Sequence, residues 1–164
     1  MSLKLLAPQP LTAVHRVNDF ACGEPSLDEW LKRRALNNQQ SGASRTFVVV
    51  DEADQVLGYY ALAAGAVAHQ LATGAVRRNM PDPVPVLVLG RLAVDSRAQG
   101  IQLGAGMLQD AVNRAISVSQ NTGVRALLVQ ALNEQARGFY LHYGFVPSPH
   151  NPMTLMLCLH TLRS

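Results

Sequence analysis

The spacing of apolar positions changes several times along the chain, and each change predicts an element. Residues 11–17, LTAVHRV, alternate loosely and predict a first strand. The stretch 25–40, PSLDEWLKRRALNNQQ, predicts a helix, because Leu27, Trp30, Leu31 and Ala35 share one face and Ser26 with Glu29 three positions on has the spacing of a capping box. With that face packed inward, Arg33 and its neighbours point outward. A turn follows at SGAS, 41–44, and then RTFVVVD and VLGYYALAAGAVA predict two strands joined by the acidic turn DEADQ, an antiparallel pair.

Residues 69–85 break the pattern. Gly74, Pro81, Pro83 and Pro85 suit a loop or short helix and exclude a central strand, and the segment is a candidate border of a substrate groove. The β-rich run VPVLVLGRLAVD ends at Asp95. A glycine-bearing loop, RAQGIQLGAG, then leads into a helix on which Leu108, Val112, Ala115 and Ile116 recur at helical spacing. RALLVQAL predicts a buried strand, NEQARGFYLHYG a short helix stopped by Gly144, and MTLMLCLH a last strand. Internal repeats, low-complexity tracts and clear linkers are absent from the sequence.

Composition narrows the class. At 164 residues the chain is read as one domain, 1–164, large enough to bury a full core. Apolar runs fall short of the ~18 residues that cross a bilayer, and the apolar patch in MSLKLLAPQP, cut off by Pro8 and Pro10, is too short for a secretory signal, so no membrane partner and a cytoplasmic location are expected. Cys22 and Cys158 have no ligand-like spacing, which argues against a zinc site or disulfide framework, and no metal is expected. The net charge is only +3, but basic residues cluster at Lys32, Arg33 and Arg34, then Arg45, then Arg77 and Arg78, then Arg91. Such clusters form either a face for a polyanion or ordinary solvated surface.

The loop carries the first candidate chemistry. A glycine-bearing turn from a strand into a helix gathers backbone N–H groups at the positive helix end, which is how a pyrophosphate is bound. Gly100 and Gly104 supply the small residues, but Gln102 stands where a Rossmann loop would carry glycine, and the Gly-Lys-Ser/Thr of a P-loop is missing. Because glutamine keeps its N–H, Gln102 is expected to leave a working loop and to adopt ordinary helical backbone angles.

In order, the strand, RAQGIQLGAG, the helix, RALLVQAL, Asn133 and ARGFYLHYGF resemble the GNAT superfamily of acetyl-CoA-dependent N-acetyltransferases, over essentially the whole chain and most specifically from Leu89 to Phe145. CGEPSLDEWL, RTFVVVD, GYYALA, VLGRLAVD and FYLHYGF further resemble the GNAT toxins of bacterial toxin–antitoxin pairs, which acetylate the amino group of aminoacyl-tRNA and stop translation. The resemblance implies an α/β (α+β) GNAT fold, a central mixed, mostly antiparallel sheet of about six to seven strands flanked by about four helices. It implies that acetyl-CoA is the donor substrate, with the pyrophosphate on Arg97, Gln99, Gly100, Ile101, Gln102, Leu103, Gly104 and Ala105 and the pantetheine arm along Leu92, Ala93 and Val94. Asn133, Phe139 and Tyr143 complete the implied donor site, and Tyr140 is the implied general acid. Gln102 departs from the family's usual Gly or Ala.

The implied reaction is chemically sound. The α-amino group of an aminoacyl ester titrates below about 8, so it is largely neutral at cell pH and needs no strong base. The leaving CoA thiolate is helped by a proton or hydrogen bond, for which Tyr140 is the candidate and Tyr143 the reserve. Read without the resemblance, Phe139, Tyr140 and Tyr143 are core aromatics and Asn133 a helix N-cap. His15 and His142 lack a partner carboxylate at a telling spacing and are read as surface or structural. For tRNA phosphates the candidates are Lys32, Arg33, Arg34, Arg77, Arg78 and Arg91, although Arg91 on a strand is equally suited to pair with a carboxylate.

The implied partners are aminoacyl-tRNA, a ribbon-helix-helix antitoxin that neutralises the toxin and binds operator DNA, and a second copy in a homodimer. Two alternatives stand beside the toxin reading: a GNAT enzyme for a protein N-terminus or small amine, and a non-catalytic acyl-CoA-binding protein.

Overall fold

In the computed structural model, which describes residues 4–162, the chain forms a seven-stranded sheet with five α-helices. Residues 1–3, the start of the N-terminal apolar patch, lie outside the described part. The strands are β1 (Gln9–Pro10), β2 (Arg45–Val50), β3 (Val56–Val67), β4 (Val84–Val94), β5 (Ala126–Gln130), β6 (Val146–Pro147) and β7 (Thr154–Cys158), in the sheet order β1-β2-β3-β4-β5-β7-β6. The helices are α1 (Pro25–Arg33), α2 (Ala35–Ser41), α3 (Gly74–Arg77), α4 (Leu103–Gln120) and α5 (Glu134–His142). Contacts divide the chain into two compact units, residues 1–63 with 91–111 and residues 64–90 with 112–164, so β3, β4 and α4 each run through both.

In the first unit β2 and β3 form the expected antiparallel hairpin, Arg45 opposite Leu62 through Val50 opposite Val56. The acidic turn closes it because the Asp51 carboxylate accepts from the N–H groups of Ala53 and Gln55 at 2.9 and 3.0 Å. The expected strand at 11–17 is corrected: β1 lies before it, and 11–17 form a turn with a single bridge from Arg16 to Gln55. Local bonds win there over a ladder, with the Thr12 N–H donating to His15 Nδ1 at 3.0 Å and the His15 N–H returning to the Thr12 carbonyl. His15 is thus buried and structural.

The predicted single helix is two helices broken at Arg34, whose φ of −121° is not helical. Its start is also corrected. Glu24 is the N-cap, Pro25 opens the first turn, and no side chain caps it, so Ser26 and Glu29 form no capping box. The inward face is as predicted: Leu31 and Ala35 join Phe20, Val48, Val50 and Tyr59 in one core cluster, with Trp30 stacked on Tyr59 at 6.0 Å.

In the second unit β4 and β5 run parallel from Val86–Ala126 to Leu89–Val129, β5 and β7 antiparallel, and β6 edges β7. The short β6 has no sequence signal beyond Val146. Residues 69–83 hold a 3₁₀ turn and α3, in accord with Gly74, Pro81 and Pro83, whereas the expectation for Pro85 is corrected, since Val84 and Pro85 open β4. Val76 of α3 anchors the segment in a core with Val84, Val86, Ala126 and Met156. On α4 the buried positions include Met107, Leu108, Ala111, Ala115 and Ser119, whereas Val112 and Ile116 are half-buried.

Candidate active site

The loop between β4 and α4 is held from below by Asp95. This carboxylate is 1% exposed and accepts from the Ala21 N–H at 2.9 Å, the Arg97 N–H at 2.8 Å and the Arg97 guanidinium at 2.8 and 3.1 Å. Burial alone would raise its pKa, but these donors outweigh burial and hold it below the usual carboxylate range. Sequence reasoning missed this role; the available signal was an acid placed just after a strand and two residues before an arginine. Gln99 is a second strap, its side-chain amide donating to the carbonyls of Cys22 and Val94 at 3.1 and 3.0 Å. The side chains of Arg97 and Gln99 therefore build the loop, and the Val94 carbonyl is already engaged. Beside the loop, burial first and Asp28 second push the Cys22 thiol up to about 11, which keeps it protonated and unreactive at neutral pH.

What the loop offers an anion is its backbone. Among the described residues, no acceptor in the chain takes the backbone N–H of any residue from Gln99 through Ala105. Gly100 and Gln102 have φ of +85° and +62°, with Ile101 between them, the alternation of handedness from which anion-binding concavities are made. The Gln102 carbonyl then accepts the first bond of α4 from Gly106, so Leu103, Gly104 and Ala105 expose their N–H groups at the N-terminus of a long helix. The helix start lies close to the sheet because β3 carries Gly58, where a Cβ would stand 2.9 Å from Met107 Sδ and 3.1 Å from Leu103 Cδ2.

Ordinary helical angles at Gln102 are thereby corrected. The residue adopts the left-handed conformation because two consecutive changes of direction, at Gly100 and at the helix entry, are needed to pass from the 3₁₀ turn into α4. A left-handed non-glycine residue costs roughly 1–2 kcal/mol. Gln102→Val, β-branched, should lower stability by about 1–2 kcal/mol, and Gln102→Gly should raise it by up to about 1 kcal/mol, read as shifts in the urea midpoint. Equal midpoints for both variants would contradict this backbone strain.

In the second unit, Asn133 caps α5, its side-chain oxygen accepting from the Ala136 N–H at 2.9 Å. Tyr140 is buried, with Phe139 and Phe145 packed against its ring at 5.3 and 5.4 Å. No residue among those described hydrogen-bonds its hydroxyl, and burial pushes the phenol up to about 12. Tyr143, at 44% exposure, lies on Phe139 and His142 at the surface. A cavity of about 420 Å³ opens in the same unit, walled by Ala66, Leu71, Val88 and Leu128 with Gln130 and Asn151 as polar groups. Its lining comes from distant segments and had no sequence signal beyond the groove expected at 69–85.

The basic candidates separate. Lys32, Arg33 and Arg34 are exposed, with Arg33 paired to Glu29 at 2.6 Å one helical turn back. Arg91 lies over the Trp30 ring at 4.2 Å, a cation–π contact that replaces the carboxylate partner considered for it. These belong to the first unit and exposed Arg77 and Arg78 to the second. Among the described residues, no helix is long and apolar enough to cross a membrane and no cluster of three or more His, Cys, Asp or Glu is placed to hold a metal; both cysteines are free.

Residues 43–147, which include this strand, turn and helix, match the Acetyltransferase (GNAT) domain family. The chain belongs to that family and is an acetyltransferase. Among its relatives, a tRNA-acetylating toxin of Mycobacterium tuberculosis is 49% identical over 96% of this chain and 95% of that protein. The structure of AtaT complexed with acetyl-methionyl-tRNAfMet superposes with a TM-score of 0.89, at 29% identity over 97% of both chains. A tyrosine-to-phenylalanine mutant of the AtaT toxin, bound to the C-terminus of the antitoxin AtaR and acetyl-CoA, gives 0.82 at 29% identity over 96% of this chain and 95% of the other.

Proposed function

We propose that this protein is a toxin that transfers acetyl from acetyl-CoA to the α-amino group of aminoacyl-tRNA and thereby blocks translation. The 49% identity to a tRNA-acetylating toxin along almost the entire chain carries this reading, and the run of unpaired N–H groups from Gln99 through Ala105 supports the donor half. Those groups receive the CoA pyrophosphate, while the backbone of Leu92 to Val94 lies along the pantetheine arm. Arg97 and Gln99 act through the loop they strap, and Asn133 by fixing the start of the helix that carries Phe139, Tyr140 and Tyr143. Residues 1–164 work as one catalytic domain.

The neutral amine attacks the thioester carbonyl, the C–N bond forms, and the C–S bond breaks to release the CoA thiolate. Tyr140 serves the thiolate as donor. A phenol at about 12 lies well above a thiol near 8.5, so it stabilises the thiolate chiefly by a hydrogen bond, and the proton that ends on sulfur is the one the attacking nitrogen loses. The aminoacyl group occupies the cavity walled by Val88 and Leu128. Lys32, Arg33, Arg34, Arg77, Arg78 and Arg91 contribute to tRNA binding, with Arg91 held in place by Trp30.

An antitoxin of the ribbon-helix-helix class neutralises the enzyme and binds the operator; the AtaT–AtaR complex supports such a partner. A homodimer working in the cytoplasm completes the proposal. The test is transfer of labelled acetyl to total charged tRNA, with deacylated tRNA and free N-terminal peptides as controls and mass analysis of the product. Acetylated aminoacyl groups on charged tRNA alone are expected. Equal labelling of deacylated tRNA, or preference for the peptides, would defeat the proposal.

A further inference from the structure

A second cavity, of about 340 Å³, lies in the second unit where α3, the start of β5 and the residues after β7 meet, and it is lined by Ala75, Arg78, Asn79, Arg125, His160 and Thr161. Its size is at the lower end of small-ligand sites. Among the described residues, no acidic side chain lines it. The unit's sequence is short of acidic side chains, since only Asp82 and Glu134 fall within it against Arg77, Arg78, Arg114, Arg125, Arg137 and Arg163. The Asp82 carboxylate is moreover occupied by the His69 N–H.

Arg125 is fixed as a surface arginine is not. Its N–H donates to the Pro85 carbonyl at 2.9 Å, and its own carbonyl accepts from the Leu159 N–H at 2.9 Å. Nη2 is tied to the carbonyls of Ala75 and Arg78 at 3.1 and 3.4 Å, while Nε is buried with no acceptor among the described residues. A buried guanidinium donor without an acceptor is costly, and Nη1, which has no acceptor among the described residues, remains to meet an oxygen of a phosphate. Arg78, exposed at the rim, adds a second full charge, and the side chains of Asn79 and Thr161 add short polar groups.

We infer that this cavity is a phosphate seat and that it takes one phosphodiester of the RNA backbone of the tRNA substrate. The RNA half rests on the function proposed above; the phosphate half does not. Fixed arginines of this kind position a nucleic acid without reading its bases, and each neutralised phosphate adds about one unit to the salt dependence of binding.

The test follows the Nε–H resonance of Arg125 in ¹⁵N-labelled protein during titration with inorganic phosphate and, separately, with deacylated tRNA. Salt-dependent tRNA affinities are measured alongside for the wild type, Arg78→Gln and Arg125→Lys, the last keeping the charge but losing the fork. Expected are a shift of that resonance with both ligands, roughly three- to tenfold weaker tRNA binding by each variant, and a salt slope lowered by about one in Arg78→Gln. A shift with phosphate alone, with unchanged tRNA affinities, would overturn the RNA half and leave a seat for free phosphate. No shift with either ligand would overturn the inference entirely. Failure of the wild type to bind tRNA at any salt would defeat the acceptor proposed above, and the phosphate titration would still decide the cavity.

Discussion

Replacing Tyr140 by Phe should lower the rate of acetyl transfer to charged tRNA by about 10²- to 10³-fold, the scale of losing one donor to a developing negative charge. Acetyl-CoA affinity should stay within about twofold of the wild type, because the proposed donor contacts are backbone N–H groups elsewhere. The fold should not suffer, since no residue among those described hydrogen-bonds the Tyr140 hydroxyl and its removal leaves no polar partner stranded. The pH profile sharpens the test. With a phenol at about 12, Tyr140 is protonated at every pH from 6 to 9, so the variant's profile should be the wild-type profile scaled down, rising with deprotonation of the attacking amine. A rate within about threefold of the wild type would remove Tyr140 from the mechanism, and a profile of altered shape would mean that it titrates in the reaction.

Asp95→Ala should be the most damaging change near the proposed donor loop. It strands the N–H groups of Ala21 and Arg97 at a site that is almost fully buried, which costs about 2–3 kcal/mol and lowers Tm by about 5–10 °C. The Arg97 guanidinium is half exposed and regains water, so it adds little to that cost. With its lower strap gone the loop loses its fixed geometry, and acetyl-CoA should bind at least about tenfold more weakly, or 1.4 kcal/mol, by calorimetry. Unchanged affinity would show that the strap does not support the donor site.

The same group makes an acid-side prediction. Asp95 has a folded pKa below its unfolded value of about 3.9, so its stabilisation is fully present above that value and is lost as pH falls through the folded pKa. Wild-type stability should drop more steeply below pH 4 than that of Asp95→Ala. Parallel acid-denaturation curves would contradict the assigned shift.

The parts of the fold that repeat along the chain were legible in the sequence. Apolar, β-branched runs bounded by turn residues located β2 to β5 and β7, helical spacing located α4, and the acidic turn and Gly144 marked where direction reverses. Errors fell where local hydrogen bonds compete with periodicity. Residues 11–17 alternate but close on themselves through Thr12 and His15, and a continuous apolar face hid the break at Arg34, because Trp30, Leu31 and Ala35 face one core cluster on either side of it.

Within the proposed site, the sequence alone determined the identity of the loop, the presence of Gly100 and Gly104, the α5 aromatics and the N-cap at Asn133, because each depends on neighbours within a few positions. Only the tertiary structure decided what these residues do. It brought Ala21 and Cys22, distant along the chain, under the loop to be held by Asp95 and Gln99, imposed φ of +62° on Gln102 through the turn it must complete, and set Arg91 on Trp30 in place of a carboxylate. Burial was likewise its decision, and with it the raised pKa of Tyr140 and the unpaired Nε of Arg125. Solvation depends on every segment that closes over a side chain, and no local pattern in the sequence encodes that sum.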